Sequence, residues 1–541
     1  MENGGSKPRH SALRTPHSAL RIVKIPHSAF RTPHSSARLP GLKRGKLQPT
    51  LRPVKRVLPA LVCASLFLPE FGHAASRSVL QEAGQLELAG RFREAAQLLT
   101  NALVSAASSP SRRARIEFEL DRLERIRKDF PLTRETLLER LRAAVRDVTP
   151  DEFERWLAEG RFDSRVIDGE TRFMRSSVRN LFYRYPELEA RQLNAPDPGP
   201  VEHARLETCR AIARAAQTQQ SPYVLPKRFH VEMLVTAKTN AAPEGARLRC
   251  WLPIPRDYPF QRDFKLLRSE PPVKKINPPD SPIRAVYLEQ TVHARSPARF
   301  RIEYEYTACG VRFLMNPEAV HACNPRDRRL APWLREAPHV EFTPEMRALS
   351  AQIVGAETNP YHIAKQCYDW IASNIRYSLA IEYSTIRNIS EYCRTRRYGD
   401  CGQEALLFIT LCRLNGIPAR WQSGWNTFPG ADDIHDWTEI WLEPYGWVPV
   451  DPYMGIWATQ YVRTLGAAER REISEFYFGG LDAWRMAANR DHCQPLRPRK
   501  RAPRSDPVDF QRGELEWDNR NVYFDRFNYE FTVREIAPDA H

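Results

Sequence analysis

A cysteine at the start of a long apolar run constrains the fold more than any other feature of this chain. The run extends from Ala405 to Leu414 and is typical of a buried helix, with Asn415 and Gly416 as its stop signal. The helix would begin at Cys401. At that position the helix dipole and the free backbone N–H groups favour a thiolate.

Two short strands are predicted after this helix. His435 and Trp437 occupy alternate positions, as residues on one face of a strand do. The stretch from Trp447 to Asp451 is predicted to be the next strand, and residues 444–446 supply the turn between the two. Closure of this hairpin would bring His435 and Asp451 side by side.

A thiol, an imidazole and a carboxylate occur in the order Cys401, His435 and Asp451. These are the parts of a nucleophilic triad, in which a thiolate attacks a carbonyl, the imidazole moves protons and the carboxylate orients the imidazole. The pattern therefore predicts acyl-transfer chemistry on amides.

Four short motifs follow one another in this part of the chain, and they are Gly399–Cys401, Gly416–Arg420, His435–Glu439 and Trp447–Pro452. Over residues 345–460 the sequence thereby resembles the transglutaminase-like superfamily of papain-type thiol enzymes. The resemblance implies that Cys401 is the nucleophile, His435 the general base and acid, and Asp451 the orienting carboxylate. It also implies that no metal or organic cofactor is needed.

Three simpler interpretations compete with the triad. A cysteine on an apolar helix is usually a small buried hydrophobe. Cys401, His435 and Asp451 could instead bind a metal ion, although no short-spaced ligand pair such as Cys-x-x-Cys is present. The fold could also persist as a catalytically inactive binding or scaffold protein of the cell envelope.

The positive charge of the chain is concentrated at its N-terminus. The formal net charge is +16, but residues 1–75 hold thirteen Lys or Arg and two Glu. The remaining charge is spread thinly, and no basic stripe with interleaved aromatic residues is seen, so nucleic acid is not an expected partner.

The N-terminus also carries an expected export signal. Residues 1–42 repeat a Pro-His-Ser unit and are predicted to be a disordered leader. Residues 43–75 combine a basic stretch, an apolar run and small residues near Ala74, as a cleavable signal peptide does. We expect a periplasmic or secreted protein without a stable membrane anchor, since the apolar run is too short to cross a bilayer.

Cysteine usage is consistent with export but does not define a disulfide framework. Ten Cys are present, and Cys63 would leave with the signal peptide. Apart from Cys401, eight remain that could pair, in a connectivity that sequence cannot give. Cys367 and Cys412 lie on apolar helix faces and are expected to be unpaired core residues.

The fold class expected is α+β, a papain-like core preceded by an antiparallel β-sandwich and an N-terminal helical region. The helical region has no convergent polar cluster, so its expected role is packing or the binding of an envelope protein. The predicted boundaries are a helical region 76–190, a linker 191–226, a β-sandwich 227–312, a catalytic core 340–470 and a C-terminal extension 471–541 with closing strands.

These observations predict a secreted thiol enzyme that forms an acyl-enzyme from an amide of a peptide or protein. Water as the second nucleophile would make it a peptidase or amidase, and an amine would make it a transglutaminase. The triad alone does not separate the two outcomes.

Overall fold

The computed structural model describes residues 78–105, 109–195, 197–293 and 296–537. The leader and signal peptide predicted over residues 1–75 lie outside these ranges. Within them, helices combine with mainly antiparallel sheets, and this confirms the α+β class with N-terminal helices and a papain-like core.

The N-terminal part of the chain is mainly helical. Its elements are α1 (Val79–Leu88), α2 (Phe92–Ser105), α3 (Pro110–Asp129), α4 (Arg134–Ala144), α5 (Pro150–Ala158), β1 (Ser164–Ile167), β2 (Glu170–Phe173), α6 (Ser177–Arg184) and α7 (Gly199–Gln219). The sequence did not lead us to expect the β1–β2 hairpin. The cap of α5 is as expected from Thr149, whose hydroxyl accepts from the backbone N–H of Glu152 at 3.1 Å.

The stretch 191–226, expected to be a linker, instead contains α7. Leu206, Cys209 and Ile212 on this helix are buried in the same hydrophobic core as Leu406 and Leu407. The helix approaches the sheet at Gly310, where an added Cβ would lie 2.6 Å from the side chain of Ile212. Pro198 and Pro200 lie at the start of α7, where a helix tolerates proline.

A set of strands follows α7. They are β3 (Tyr223–Ala237), β4 (Arg247–Pro253), β5 (Gln261–Glu270), β6 (Lys275–Ile276), β7 (Ala285–Thr291) and β8 (Arg299–Arg312). The alternating Phe229, Val231, Met233 and Val235 of β3 are all fully buried. Their alternation places one face of the sheet against the core, as the sequence pattern predicted.

The core and the C-terminal part complete the chain. Their elements are α8 (Pro344–Val354), α9 (Pro360–Asn374), β9 (Arg376–Tyr377), α10 (Ile389–Arg396), β10 (Tyr398–Gly399), α11 (Cys401–Leu414), β11 (Ala419–Asn426), β12 (Asp433–Leu442), β13 (Gly446–Val450), α12 (Pro452–Gln460), α13 (Ala467–Phe476), β14 (Gly480–Leu481), β15 (Arg485–Asn489), β16 (Glu514–Trp517), β17 (Arg520–Val522) and β18 (Phe527–Ile536). Short 3-10 helices lie at Pro186–Arg191, Pro317–Ala319, Ala331–Leu334, Tyr383–Thr385 and Phe524–Arg526.

The core sheet has the strand order β13-β12-β11-β15 and packs on α11. Every residue of α11 from Gly402 to Arg413 is buried, as a helix enclosed on all sides requires. Asn415 caps the helix and Gly416 follows it with a φ of +74°, so the predicted stop signal is confirmed.

The sandwich is closed by strands from the far end of the chain. One sheet has the order β14-β8-β3-β18, with β5 also paired to β8, and the other has the order β17-β16-β4-β7-β6. The closing strands predicted near residues 521–533 therefore pair with the sandwich rather than with the core sheet. Along the sequence, the first strands of the sandwich therefore precede the core, and its last strands follow the core.

The Pro-rich basic segment 495–507 is buried at several positions. Lys500, Arg504 and Ser505 are buried. The ammonium of Lys500 donates to a carboxylate oxygen of Glu514 at 2.6 Å. Because Glu514 neutralises the buried cation, the segment packs down on the sandwich instead of projecting into solvent.

Candidate active site

Cys401 is the first residue of α11, as the sequence predicted. The helix is capped by Asp400, whose Oδ1 accepts hydrogen bonds from the backbone N–H of Gln403 at 3.1 Å and from the hydroxyl of Tyr383 at 2.5 Å. Burial raises the pKa of Asp400 to about 6. Gly399 is required for close packing, since an added Cβ would lie 2.8 Å from Cβ of Gln403.

The hairpin of β12 and β13 brings two of the predicted residues together. His435 lies on β12, and Asp451 directly follows β13 as the cap of α12. Nε2 of His435 is 2.8 Å from Oδ2 of Asp451. Trp437 stacks on the imidazole at 5.9 Å between ring centroids, and Tyr453 meets it edge-on at 5.3 Å. The ring is therefore held in one orientation.

Arg485 on β15 is a second partner of Asp451. Its guanidinium lies 2.9 Å from Oδ2 of Asp451 and 3.4 Å from Oδ2 of Asp482. Asp482 also binds Arg205 of α7 at 3.0 Å and the hydroxyl of Tyr477 at 2.8 Å. The carboxylate that orients His435 is thus anchored through a buried network reaching the N-terminal part of the chain.

This network sets the protonation states of Asp451 and His435. Burial alone would raise the pKa of Asp451, but the charges of His435 and Arg485 outweigh it and hold that pKa below its ordinary value. Burial lowers the pKa of His435, with Arg485 adding to the effect and Asp451 opposing it. The structure therefore favours an ionised Asp451 beside a neutral imidazole.

The thiol of Cys401 forms its hydrogen bond with Asp436 and not with His435. Sγ lies 3.6 Å from Oδ2 of Asp436, the neighbour of His435 on β12. Burial raises the pKa of the Cys401 thiol well above its ordinary value, and the charges of Asp436 and Asp400 raise it further. The helix N-terminus predicted a thiolate, but at this thiol the nearby carboxylates and burial outweigh the dipole.

Sequence reasoning missed Asp436 and the C-terminal residues that hold it. The side-chain amide of Gln511 donates to Oδ1 of Asp436 and to the backbone carbonyl of His435, both at 2.9 Å. Asp509 is a neighbour of Asp436. Asp436 itself stands in the His-Asp-Trp-Thr-Glu motif, but its C-terminal partners carry no local signal.

Glu404 is a further buried acid on α11, one turn beyond Cys401. Neither of its carboxyl oxygens has a hydrogen-bond partner, and its side chain is fully buried. Burial raises its pKa well above the ordinary value, and the charges of Asp400 and Asp451 act in the same direction. The carboxyl is therefore held in its neutral form.

The tryptophans around the site are mainly core residues, as expected. Trp421, Trp425 and Trp437 are fully buried, whereas Trp441 and Trp447 are half-buried. The last two pack edge-on, with ring centroids 5.6 Å apart. The burial and packing of these five tryptophans do not assign any of them to a substrate cleft.

The cysteines of the described residues are all free thiols. Cys367 and Cys412 are fully buried, as their positions on apolar helix faces predicted. Within the described ranges, no group of three or more His, Cys, Asp or Glu side chains could hold a metal ion. Nor does any helix there combine the length and apolarity needed to cross a membrane.

The capped helix that presents a cysteine and the hairpin that presents a histidine and an aspartate define the core of a papain-type fold. This core is a transglutaminase-like domain, since residues 347–452 match the family model described as the transglutaminase-like superfamily. The match begins within α8 and ends at the first residue of α12. It therefore includes all three residues predicted for the triad.

Solved structures with related folds share little sequence with this chain. A structure described as "a Putative Cysteine Protease from Cytophaga hutchinsonii" is 17% identical over 59% of this chain and 93% of its own, with a TM-score of 0.37. The periplasmic domain of TgpA from Pseudomonas aeruginosa is 14% identical over 48% of this chain and 95% of its own, with a TM-score of 0.24. Among curated proteins, no sequence matches significantly.

Proposed function

We propose that this protein is a thiol enzyme that forms an acyl-enzyme on Cys401 from an amide of a peptide or protein. The observation that carries the proposal is the 2.8 Å hydrogen bond between His435 and Asp451, in the same domain that places Cys401 at the start of a buried helix. An oriented imidazole and a positioned thiol are the two requirements of nucleophilic catalysis by cysteine.

The hydrogen bond assigns the two ring nitrogens of His435 their roles. With Nε2 directed at Asp451, the ionised carboxylate keeps a proton on Nε2. Nδ1 is then the nitrogen that accepts the proton of the Cys401 thiol. Before attack, the thiol leaves Oδ2 of Asp436, where it rests in this structure.

The reaction follows from these roles. Sγ of Cys401 attacks the amide carbonyl as its proton passes to Nδ1 of His435, and the backbone N–H of Cys401 faces the oxyanion. His435 then protonates the departing amine, which leaves a thioester on Cys401. A second nucleophile, deprotonated by His435, releases the acyl group. We propose water in this role, since water is always present and the sequence shows no acceptor motif.

The test uses a glutamine-containing peptide, with and without a primary amine. Release of ammonia alone would mean hydrolysis, and incorporation of the amine would mean transfer. Cys401→Ser should abolish both, whereas Cys493→Ser should leave them unchanged because Cys493 takes no part in the site. A peptide that forms no product and no thioester with Cys401 would favour the scaffold alternative instead.

Thiol labelling tests the nucleophile without knowledge of the substrate. Iodoacetamide should modify Cys401 faster than Cys323 and Cys493, the other half-buried cysteines, near neutral pH. We expect this although burial and Asp436 raise the pKa of the Cys401 thiol, because His435 accepts its proton. His435→Ala should slow the labelling of Cys401 sharply, because the thiol loses its proton acceptor. Equal labelling of Cys401 in both proteins would contradict the enzyme proposal.

We propose in addition that the protein acts outside the cytoplasm. The signal peptide predicted over residues 43–75 supports this location. The substrate would then be an envelope or extracellular peptide or protein.

A further inference from the structure

Two acidic side chains, Asp436 and Asp509, form a second pair near the thiol. This pair is distinct from the pair formed by His435 and Asp451. Asp436 directly follows His435 on β12. Oδ2 of Asp436 accepts from Sγ of Cys401 at 3.6 Å, and Oδ1 accepts from Gln511 at 2.9 Å. This carboxyl is therefore the polar group in contact with the proposed nucleophile.

Its partner, Asp509, is held rigidly by its surroundings. Oδ1 of Asp509 accepts from the backbone N–H of Phe510 at 2.6 Å and from the amide of Asn489 at 3.1 Å. It also accepts from the hydroxyl of Ser423. Asp436 and Asp509 are each only 4% exposed. They are neighbours, because Ser423, which donates to Asp509, pairs directly with Asp436 across β11 and β12.

Two buried carboxyl groups that lie side by side retain a proton, because ionisation of both would bring two negative charges together out of water. The charged groups that act on Asp436 most strongly are Asp509, Asp400 and Asp506, which are all acidic. Tyr383 of the 3-10 helix at Tyr383–Thr385 and Cys401 of α11 also face it. Each of these groups opposes a second negative charge. Arg504, whose guanidinium donates to the backbone carbonyl of Asp509, favours ionisation, but burial outweighs it at Asp509. Burial and like charge therefore favour one shared proton.

We propose that Asp436 and Asp509 share one proton and that release of this proton sets the upper pH limit for formation of the Cys401 thiolate. The inference rests on the proposed role of Cys401 as nucleophile. While the proton is shared, the pair carries one negative charge. When the proton leaves to solvent, the pair carries two, and the added charge beside Sγ disfavours a thiolate.

Asp436 and Asp509 are thus positioning residues that act on the reaction through the thiol. The C-terminal extension takes part in the site through Asp509 and Gln511. The pair also explains why the thiol rests against Asp436, since a carboxyl oxygen with partial negative charge accepts the S–H.

The test measures the rate of Cys401 alkylation by iodoacetamide in the full chain from pH 6 to 10, by peptide mass mapping. Below the pKa of a thiol its thiolate fraction rises about tenfold per pH unit. In the wild-type protein the alkylation rate should stop rising at the pH where the pair loses its proton, which gives a break in the plot of log rate against pH. Asp436→Asn and Asp509→Asn each remove one of the two ionisable groups, so each should abolish the break. About one pH unit beyond the break, both variants should react about tenfold faster than the wild type.

The two variants should also differ from each other. Asp436→Asn removes the carboxylate nearest to Sγ and should react faster than Asp509→Asn at every pH. Asp433→Asn is the matched control, because Asp433 lies on the same strand with an exposed side chain. It should retain the wild-type break.

Several outcomes would overturn the inference. A break that persists in Asp509→Asn but disappears in Asp436→Asn would mean that Asp436 titrates alone. A break that persists in both correctly folded variants would mean a structural role only, and thermal unfolding of each variant establishes the folding. If Cys401 of the wild type reacts no faster than Cys323, the nucleophile proposal falls together with the inference. Fast labelling with unchanged breaks overturns the inference alone.

Discussion

The guanidinium of Arg485 lies 2.9 Å from Oδ2 of Asp451, and both side chains are fully buried. The same oxygen binds Nε2 of His435. One carboxylate oxygen therefore serves a permanent cation and a titratable base. The arginine keeps the aspartate ionised, and the aspartate keeps the imidazole in place.

Arg485→Met is expected to destabilise the fold. Removal of the guanidinium leaves the buried carboxylate of Asp451 without its arginine, whereas Asp482 keeps Arg205. Loss of one partner of a buried ion pair typically costs about 3–5 kcal/mol. Urea unfolding of the two proteins measures the difference. Arg471→Met, at an exposed position on α13, is the control and should change the free energy of unfolding by no more than about 0.5 kcal/mol. Equal effects of the two substitutions would contradict a role for Arg485 as the anchor of Asp451.

The activity is expected to fall at acid pH with a midpoint below pH 6.5. His435 must be neutral to accept the thiol proton, and burial lowers its pKa from the ordinary value of 6.5. A lower pKa keeps the base neutral to lower pH, so activity should persist below that point and fall as His435 gains a proton. The pH dependence of Cys401 alkylation measures this fall. A midpoint above 6.5 would show that Asp451 outweighs burial at the imidazole.

Glu404→Gln is expected to stabilise the protein increasingly as pH rises. The folded-state pKa of Glu404 lies well above 4.5, so between these values the folded protein holds a proton that the unfolded chain has lost. In that window the carboxyl lowers the free energy of unfolding by about 1.4 kcal/mol per pH unit. The amide introduced by Glu404→Gln does not titrate, so the free energy of unfolding of the variant should not show this decrease.

Urea unfolding at pH 5 and pH 8 checks the expectation for Glu404. The difference between Glu404→Gln and the wild type should be larger at pH 8. Glu345→Gln, on the exposed surface of α8, should show no such dependence. A Glu404→Gln protein that is less stable than the wild type at pH 8 would mean that the carboxyl has a partner in solution.

Gly424→Ala is expected to disrupt the core sheet. Gly424 on β11 pairs with His435 and with Ala487, and an added Cβ would lie 1.8 Å from the backbone carbonyl oxygen of Met486. The backbone of β15 cannot yield without losing its pairing, so we expect a loss of about 3 kcal/mol. Gly84→Ala in α1, where the nearest atom is 3.6 Å away, should instead stabilise by up to about 1 kcal/mol. Thermal unfolding measures both.

N-terminal sequencing of the protein expressed in a bacterium tests export. The sequence predicts a mature chain that begins close to Ala75, after cleavage at the small residues that follow the apolar run. A mature chain that begins near Met1 would contradict the signal peptide. Lys43→Glu together with Arg44→Glu should slow cleavage, because the basic stretch before the apolar run is weakened.

The helix that presents Cys401 and the hairpin that presents His435 could be predicted because their signals are local. An apolar run, a stop at Gly416 and alternation around Trp437 each act within a few residues. Gln511 could not be found in this way, since it reaches Asp436 from 75 residues away in the sequence. The same applies to α7, which lies in the predicted linker and which only tertiary packing shows to be a buried helix.

The thiol environment was the expectation that differed most from the structure. A helix N-terminus acts within one turn and is visible in the sequence. The carboxyls of Asp436 and Asp509, and the depth at which Cys401 is buried, depend on the complete fold. The helix N-terminus alone predicted a thiolate at Cys401. Burial and carboxyls from distant parts of the sequence favour the neutral thiol instead.

The return of the chain to the sandwich has a consequence for synthesis. Strand β18 pairs along its whole length with β3. Asp509 and Gln511, which lie around Asp436, come only a few positions before β16. A polypeptide that emerges from its N-terminus first thus holds Cys401, His435 and Asp451 long before it holds the segment that completes their surroundings. A product that terminates early lacks both the last strands of the sandwich and the residues that hold Asp436. The order of synthesis therefore postpones a finished candidate site until the segment that carries Asp509 and Gln511 has been made.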